Sequence, residues 1–340
     1  MHLNQRAQTL LHAYSAGLAQ AFNTTSPDRF FSLTDPQETS LRQALLESLE
    51  FLGWITCEDV DQLSGQVVKV GQSGLHTGRK AGGRFSRGVG VAGNGYKLVE
   101  TDSCAELKWD LLSVWANSGR TENEFFNLVQ TFSNEAFALD MLRIGFNGQF
   151  IAETSEPEKY PNGEDVNVGW HALMKKWNEG KQIITDPVTL DDKGDYHSLD
   201  AMASDLINTK IPQQFRTDPR LVVLVGADLV AAEQYRLYQG ADKPSEKIAA
   251  QLLGNTIAGR RAIVPPFMPG KRMAVTTLKN LHIYTQRGTR QRKAAFEDDR
   301  KQFENKYLRN EGYAVEEPEL YAAIDENAVT IGQVTEPAEG

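Results

Sequence analysis

The sequence is poor in the residues that usually announce a chemistry. It has two cysteines in 340 residues, Cys57 and Cys104, too few for a disulfide framework, and free thiols in a reducing compartment fit them. Both lie among apolar neighbours and read as packed thiols. No apolar run reaches the roughly 18–20 residues of a membrane span. The first 22 residues lack the basic region and unbroken apolar stretch of a secretory signal. Positive charge is also in deficit: Lys and Arg total 36 against 45 Asp and Glu, a formal charge of −9. A chain that held nucleic acid by general charge neutralisation would show the opposite balance.

Catalytic signatures are missing as well. The six histidines (His2, His12, His76, His171, His197 and His282) form no close pair, and the cysteines stand 47 residues apart, so nothing has metal-ligand spacing. There is no G-x-S-x-G nucleophile turn. LVVLVGADLV at 221–230 looks like the opening of a nucleotide-binding unit, but it has Gly226 without the further glycines that admit a pyrophosphate. The acid pairs Asp191–Asp192 and Asp298–Asp299 sit in polar runs and read as solvated. The five tryptophans, Trp54, Trp109, Trp115, Trp170 and Trp177, sit in apolar patterns rather than among basic residues. No catalytic residue, cofactor or metal is expected.

What is present is an ordinary globular composition, 40% hydrophobic and 24% charged, in a chain long enough for about two domains. Helical spacing of Leu10, Leu11, Tyr14, Leu18 and Phe22 predicts a leading helix over 3–22, followed by a linker at NTTSPDRF. A second helix is expected over 36–52. Phe125, Leu128, Phe132, Ala136, Leu139 and Leu142 predict a helix over 121–144, about 36 Å long at 1.5 Å per residue, with Gly145 as its stop. Residues 198–209, 227–238 and EKIAAQLLG read as helices. LVVLVG, RAIVPP, MAVTTL and LHIYTQ read as strands of a compact α/β block. The mixed-charge stretch TRQRKAAFEDDRKQFEN at 289–305 reads as solvated or partner-facing, and alternation after Glu311 suggests returning strands. Residues 316–340 hold seven acids and no base.

Residues 62–99 are the most unusual part. They carry ten of the 28 glycines, between the alternating pieces VVKV and GVGV. This predicts a long two-stranded hairpin, which buries little by itself and needs a surface to lie against. Its middle bears Arg79, Lys80, Arg84 and Arg87 with no acid between them, a charge pattern suited to an acidic patch on another chain. Elements that reach outward without a core of their own suggest an assembly.

Several stretches then carry a resemblance: FNG at 146–148, AETS at 152–155, DVNVGW at 165–170, GDYHSLDA at 194–201, DPRLVVLVG at 218–226, PFMPG at 266–270 and LKNLHIY at 278–284. In this order and spacing they resemble the major capsid proteins of P2-like tailed bacteriophages, which have the HK97-type capsid fold. The resemblance covers nearly the whole chain. It implies an α+β fold with an N-terminal arm, an extended β-hairpin loop, a peripheral domain with a long spine helix, and an axial α/β domain. The implied segments are an assembly segment at 1–31 removed on maturation, an arm at 32–61 and the extended loop at 62–99. The peripheral domain would follow at 100–194 with its spine at 121–144, then the axial domain at 195–307 and returning strands with an acidic tail at 308–340.

The implied function is structural: hexamers and pentamers that tile an icosahedral shell around double-stranded DNA. Implied partners are further copies of the chain, an internal scaffolding protein, a maturation protease, a portal protein at one vertex, the packaged DNA and, as a further candidate, a decoration protein; no membrane is implied. The maturation cut maps to Phe31–Ser32, in the expected loop SPDRFF. The implied location is the virion capsid, assembled in the bacterial host cytoplasm. Two other readings remain at this point: the shell of a DNA-free phage-derived nanocompartment, and a soluble α/β enzyme with a deep polar pocket.

Overall fold

The computed structural model describes residues 3–67, 79–81, 95–117, 121–191, 193–240 and 256–332. In chain order the elements begin with α1 (Gln5–Ala21), β1 (Phe31–Ser32), α2 (Asp35–Ser48), α3 (Glu50–Trp54), β2 (Thr56–Val60) and β3 (Ser64–Gln66). There follow β4 (Gly95–Lys97), β5 (Val99–Lys108), α4 (Trp109–Asn117), α5 (Glu122–Asn147) and α6 (Trp170–Lys176). Then come β6 (Ile183–Ile184), β7 (Val188–Leu190), α7 (Leu199–Asp205), β8 (Leu221–Val225) and α8 (Ala227–Gly240). The last stretch holds β9 (Thr256–Ile257), β10 (Arg260–Ile263), β11 (Met273–Thr277), β12 (Leu281–Gln286), β13 (Gln291–Glu297), β14 (Gln302–Val315), β15 (Ala322–Ile324) and β16 (Val329–Ile331). By contacts the chain divides into two compact units. One comprises Met1–Leu63, Lys97–Val168 and Ile283–Tyr313, the other Ser64–Tyr96, Gly169–His282 and Ala314–Gly340.

Local chemistry sets the helices of the first unit. Asn4 caps α1 by accepting from Arg6 N, and Ala7, Leu10, Leu11, Tyr14 and Leu18 form its buried stripe. Thr34 and Gln37 make a capping box on α2. The expected single helix over 36–52 is two helices, because Leu49 turns extended (φ −138°, ψ 119°) and starts α3 anew. Thr121 and Glu124 box the start of α5, a 26-residue helix about 39 Å long. Gly145 does not stop it: Gly145, Phe146 and Asn147 are packed inside, and the helix ends where Gly148 N–H donates to Ile144 O.

These helices lie on a six-stranded sheet of order β1-β13-β14-β12-β2, with β5 also paired to β14. The core between them gathers Leu10, Leu11, Tyr14, Leu107, Phe125, Val129 and Phe303. A polar thread runs through it: Asn305 Nδ2 donates to Tyr14 Oη (3.0 Å) and to Ser133 Oγ (2.9 Å), while Ser133 Oγ donates to Val129 O. Here the sequence expectation holds only in part. The mixed-charge segment 289–305 is exposed at the turn Asp298–Lys301, but β13 and the start of β14 fill most of the rest, with Arg290, Arg292, Glu304 and Asn305 buried. Arg290 meets Glu38 and Asp59 from far along the chain, whereas Glu304 meets Arg300 and Lys306 close by.

The second unit is built on a six-stranded sheet of order β6-β15-β11-β8-β10-β9. β8 pairs parallel with β10 and antiparallel with β11, and all five of its residues are buried, which accounts for the unbroken LVVLV run. Met202, Ala203 and Leu206, from α7 and the π-turn after it, pack on this sheet with Val223, Val225 and Val275. Gly226 closes β8 because a Cβ there would lie 2.2 Å from Gly270 O. The strands expected at RAIVPP and MAVTTL belong to this sheet, and those after Glu311 are present. LHIYTQ is a strand (β12), but of the other sheet and not of the expected α/β block, and EKIAAQLLG lies outside the described residues. No helix among the described residues is long and apolar enough to cross a membrane.

Candidate assembly surfaces

The glycine-rich segment is flanked by a short two-stranded ladder, β3 with β4, extended by a bond from Leu98 N–H to Leu63 O (2.8 Å). The Tyr96 ring lies over Gly65, where a Cβ would be 2.6 Å from its hydroxyl, so a larger residue there would have to displace the tyrosine side chain. Of the four basic residues expected at the tip, Arg79 and Lys80 are exposed, and Arg84 and Arg87 lie outside the described residues.

β5 presents a complementary surface in the first unit. Its burial alternates without a break, so Thr101, Ser103, Ala105 and Leu107 face inward while Glu100, Asp102, Cys104 and Glu106 face out. Beside it is an open cleft of ≈ 430 Å³ whose lining includes Glu100, Asp102, Asp140, Glu153 and Asp165, with Arg143 as its one base. Burial pushes the Asp102 and Asp140 carboxyls upward. The sequence signal for this face was the period-2 alternation of acids in VETDSCAELK.

Cys104 belongs to the outer face, not the core, which corrects the expectation of a packed thiol; Cys57 is half-buried. The flanking apolar residues that suggested packing point to the opposite side of the strand. Partial burial and the Glu304 carboxylate push the Cys104 thiol up to about 11. Although it is reachable, it should alkylate at pH 8 on the order of 100-fold more slowly than an ordinary thiol, because the thiolate is the reacting form. The rate of iodoacetamide labelling should still be climbing at pH 10; a plateau near pH 9 would contradict this.

Phe31 and Ser32 form β1, an edge strand paired with Arg292 and Gln291 of β13. Residues 26–30 before them are irregular, with Phe30 43% exposed, but the Phe31–Ser32 bond itself lies within the paired strand and not in the loop expected from the sequence.

Two groups in the described residues bring together side chains of metal-ligating type, Cys104–Glu106–Glu304 and His171–Asp325–Glu326. In each, protein cations already hold carboxylates. Glu304 is bridged to Lys306 (2.9 Å) and Arg300 (3.3 Å). Asp325 is shared by His171 Nε2 (3.1 Å) and Lys175, and Glu326 takes Arg272 on both oxygens at 2.8 Å. Tyr321 hydroxyl completes the ring by facing His171 Nδ1 at 3.2 Å. Tyr321 and Asp325 lie 150 and 154 positions from His171, so only the His171–Lys175 spacing is local in the sequence.

That cluster sets an acid response. Burial, aided by the Arg272 charge, pushes His171 down to about 4. Burial also pushes the Asp325 carboxyl up, but hydrogen bonds from His171 and Lys175 outweigh it and hold the carboxyl far below the usual range. In the unfolded chain His171 takes up a proton below about pH 6.5, whereas the native ring stays neutral until about 4. Stability is therefore lost as pH falls through that window, by about 3 kcal/mol in full, and more is lost below pH 4 as Asp325 protonates in the unfolded state. The melting temperature should decline from pH 6.5 to 4, and His171→Gln should flatten that decline; an unchanged slope in the variant would refute the assignment.

The geometry describes an α+β fold, a two-stranded ladder flanking the glycine-rich segment, and an acidic strand face. The fold is related to the HK97-like capsid fold: 93% of this chain superposes on 97% of a chain from the satellite phage P4 procapsid that includes the size determination (Sid) protein, with a TM-score of 0.76 and 24% identity. At the level of sequence, residues 10–327 match the family described as phage major capsid protein, P2 family, and the chain belongs to that family. It is 26% identical to the capsid proteins of Escherichia phage P2, over 99% of this chain and 98% of that one. It is 25% identical to the major capsid protein of Serratia phage KSP20, over 87% and 88% of the two chains. The chain is thus a shell-forming protein of the virion capsid.

Proposed function

We propose that the chain assembles into hexamers and pentamers that tile an icosahedral shell around double-stranded DNA. The observation that carries this reading is the family match over residues 10–327. In the proposed shell, residues 62–99 form a loop that lies across a neighbouring subunit. Arg79, Lys80, Arg84 and Arg87 of one copy meet acids of the next, and the exposed Glu100, Asp102 and Glu106 of β5 are the acids best suited to them. Helix α5 serves as the spine of the peripheral domain, and the sheet of the second unit is the axial domain at the capsomer centre. Such contacts are heterologous and close into rings rather than growing as fibres.

Residues 1–31 act as an assembly-stage segment, cut at Phe31–Ser32 by a maturation protease. Assembly takes place in the host cytoplasm with an internal scaffolding protein, a portal protein occupies one vertex, and a decoration protein is a candidate for the outer surface. The net charge of −9 fits a shell that holds DNA by confinement and counterions. Negative-stain electron microscopy of the chain co-expressed with the scaffolding protein encoded beside it tests this reading. Closed, uniform shells support it, and nucleic acid inside them supports the packaging role. Only small soluble species, with folded protein and scaffold both present, would overturn it.

A further inference from the structure

Four arginines are buried among the described residues, Arg272, Arg290, Arg292 and Arg309. Three are neutralised. Arg272 grips Glu326, Arg290 reaches Glu38 and Asp59, and Arg309 chelates Glu311 at 2.7 and 3.0 Å. Arg292 stands apart. It is 3% exposed, and no salt bridge joins it to a carboxylate among the described residues. Its Nη1 is buried without a hydrogen-bond partner. Its other contacts are weak: Nη2 donates to Gln130 Oε1 at 3.5 Å, and the guanidinium carbon lies 5.7 Å from the Phe137 ring centre. A guanidinium stays charged in proteins, and a buried charge without a counter-ion is strongly unfavourable. The alternation of β13 nevertheless turns this residue inward.

Arg292 lines a groove of ≈ 340 Å³ within the first unit, walled by α2, α5 and the end of α1. None of its lining residues is acidic. Asn134, whose Oδ1 is buried and without a donor, lines the same groove. Gln37, which also lines it, is already engaged by Thr34 N–H and Ala21 O. Phe22, Leu41 and Ala44 give the wall an apolar part, while the Ser40 hydroxyl is spent on Pro36 O and Gln130 Oε1 accepts from Arg292. The groove thus offers one fixed positive fork, one acceptor and an apolar shoulder.

We propose that this groove is a binding site for an oxyanion that carries its own hydrogen-bond donor. The oxyanion accepts from Arg292, and the donor satisfies Asn134 Oδ1. Two sources have that chemistry. One is hydrogen phosphate. The other is a peptide C-terminus, whose carboxylate and last backbone N–H sit on one residue. The site does not depend on the shell reading, because all of its lining belongs to one unit of a single copy.

The test is a thermal shift and calorimetric titration of the full chain as soluble subunit, at constant ionic strength and pH 7. Probes are inorganic phosphate and N-acetylglycine, with acetate and chloride as controls. At ten times its Kd, a bound probe should raise the melting temperature by about 2 °C, acetate should do less, and chloride nothing. Arg292→Gln should abolish the response. Because that change sits in the core, Ala44→Phe, which fills the groove over an intact Arg292, serves as the second variant; whichever of the two folds decides the matter. A response to phosphate alone assigns free phosphate, to N-acetylglycine alone a chain terminus, and to both the shared chemistry. No response up to 100-fold over chloride controls, or an equal response in the folded variant, overturns the site.

Discussion

Deleting residues 74–90 should abolish closed shells and leave a folded subunit in solution. The stem strands β3 and β4 remain, and a glycine-rich hairpin buries little by itself. The melting temperature of the isolated subunit should therefore move by no more than about 2 °C. Assembly is different. A loop that contributes even about 3 kcal/mol to each subunit contact sets the concentration at which shells form, and its loss raises that threshold by roughly 100-fold. Sedimentation and electron microscopy of the deleted chain, with scaffold present, read this out. Normal shells would overturn the role proposed for the loop. A charge swap refines the test: Arg79→Glu with Lys80→Glu should block assembly, and Glu100→Lys with Asp102→Lys should restore it if β5 is the partner face.

Removing α1 should be the most damaging change to the isolated subunit. Leu10, Leu11, Tyr14 and Leu18 are all less than 7% exposed. At about 2 kcal/mol for each buried side chain their gross contribution is about 8 kcal/mol, comparable with the whole stability of an ordinary domain. Their loss also uncovers Leu107, Phe125 and Phe303. A chain starting at residue 23 should bind a hydrophobic dye and aggregate. A cut at Phe31–Ser32 is a different matter, since it severs the chain without touching this packing. The two pieces should co-elute in native buffer and separate only in denaturant. Spontaneous release of residues 3–31 after the cut would show that α1 is held far more weakly than its burial implies. Under the maturation reading, loss of the segment therefore requires a rearrangement of the subunit and not proteolysis alone.

How much of this could be read in the residues varies with the range of the interaction. The stripes of α1 and α5 and the apolar run of β8 each depend on neighbours within a few positions, and they emerged with boundaries off by a few residues. The errors share a cause. Gly145 was read as a stop by its type, but packing of Phe146 against Phe51 carries α5 onward to Gly148. Cys104 was read by its apolar neighbours, but on a strand those neighbours face the other way. The segment 289–305 was read by its charge, while seven consecutive pairings between β13 and β14 hold it in the sheet on either side of its Asp298–Lys301 turn.

By itself the sequence determined the family, through the order and spacing of short motifs along nearly the whole chain, and it determined most helices, since a 3.6-residue period is a local property. It also located the glycine-rich loop and its unopposed positive charge. Only the tertiary structure decided which charges are buried and what they meet. Arg290 finds Glu38 252 positions away and His171 finds Asp325 154 positions away, whereas Arg292, two residues from Arg290, finds no acid among the described residues. The reason is that charge pairing depends on the register of strands brought together from distant parts of the chain, and a shift of one residue turns a side chain to the opposite face.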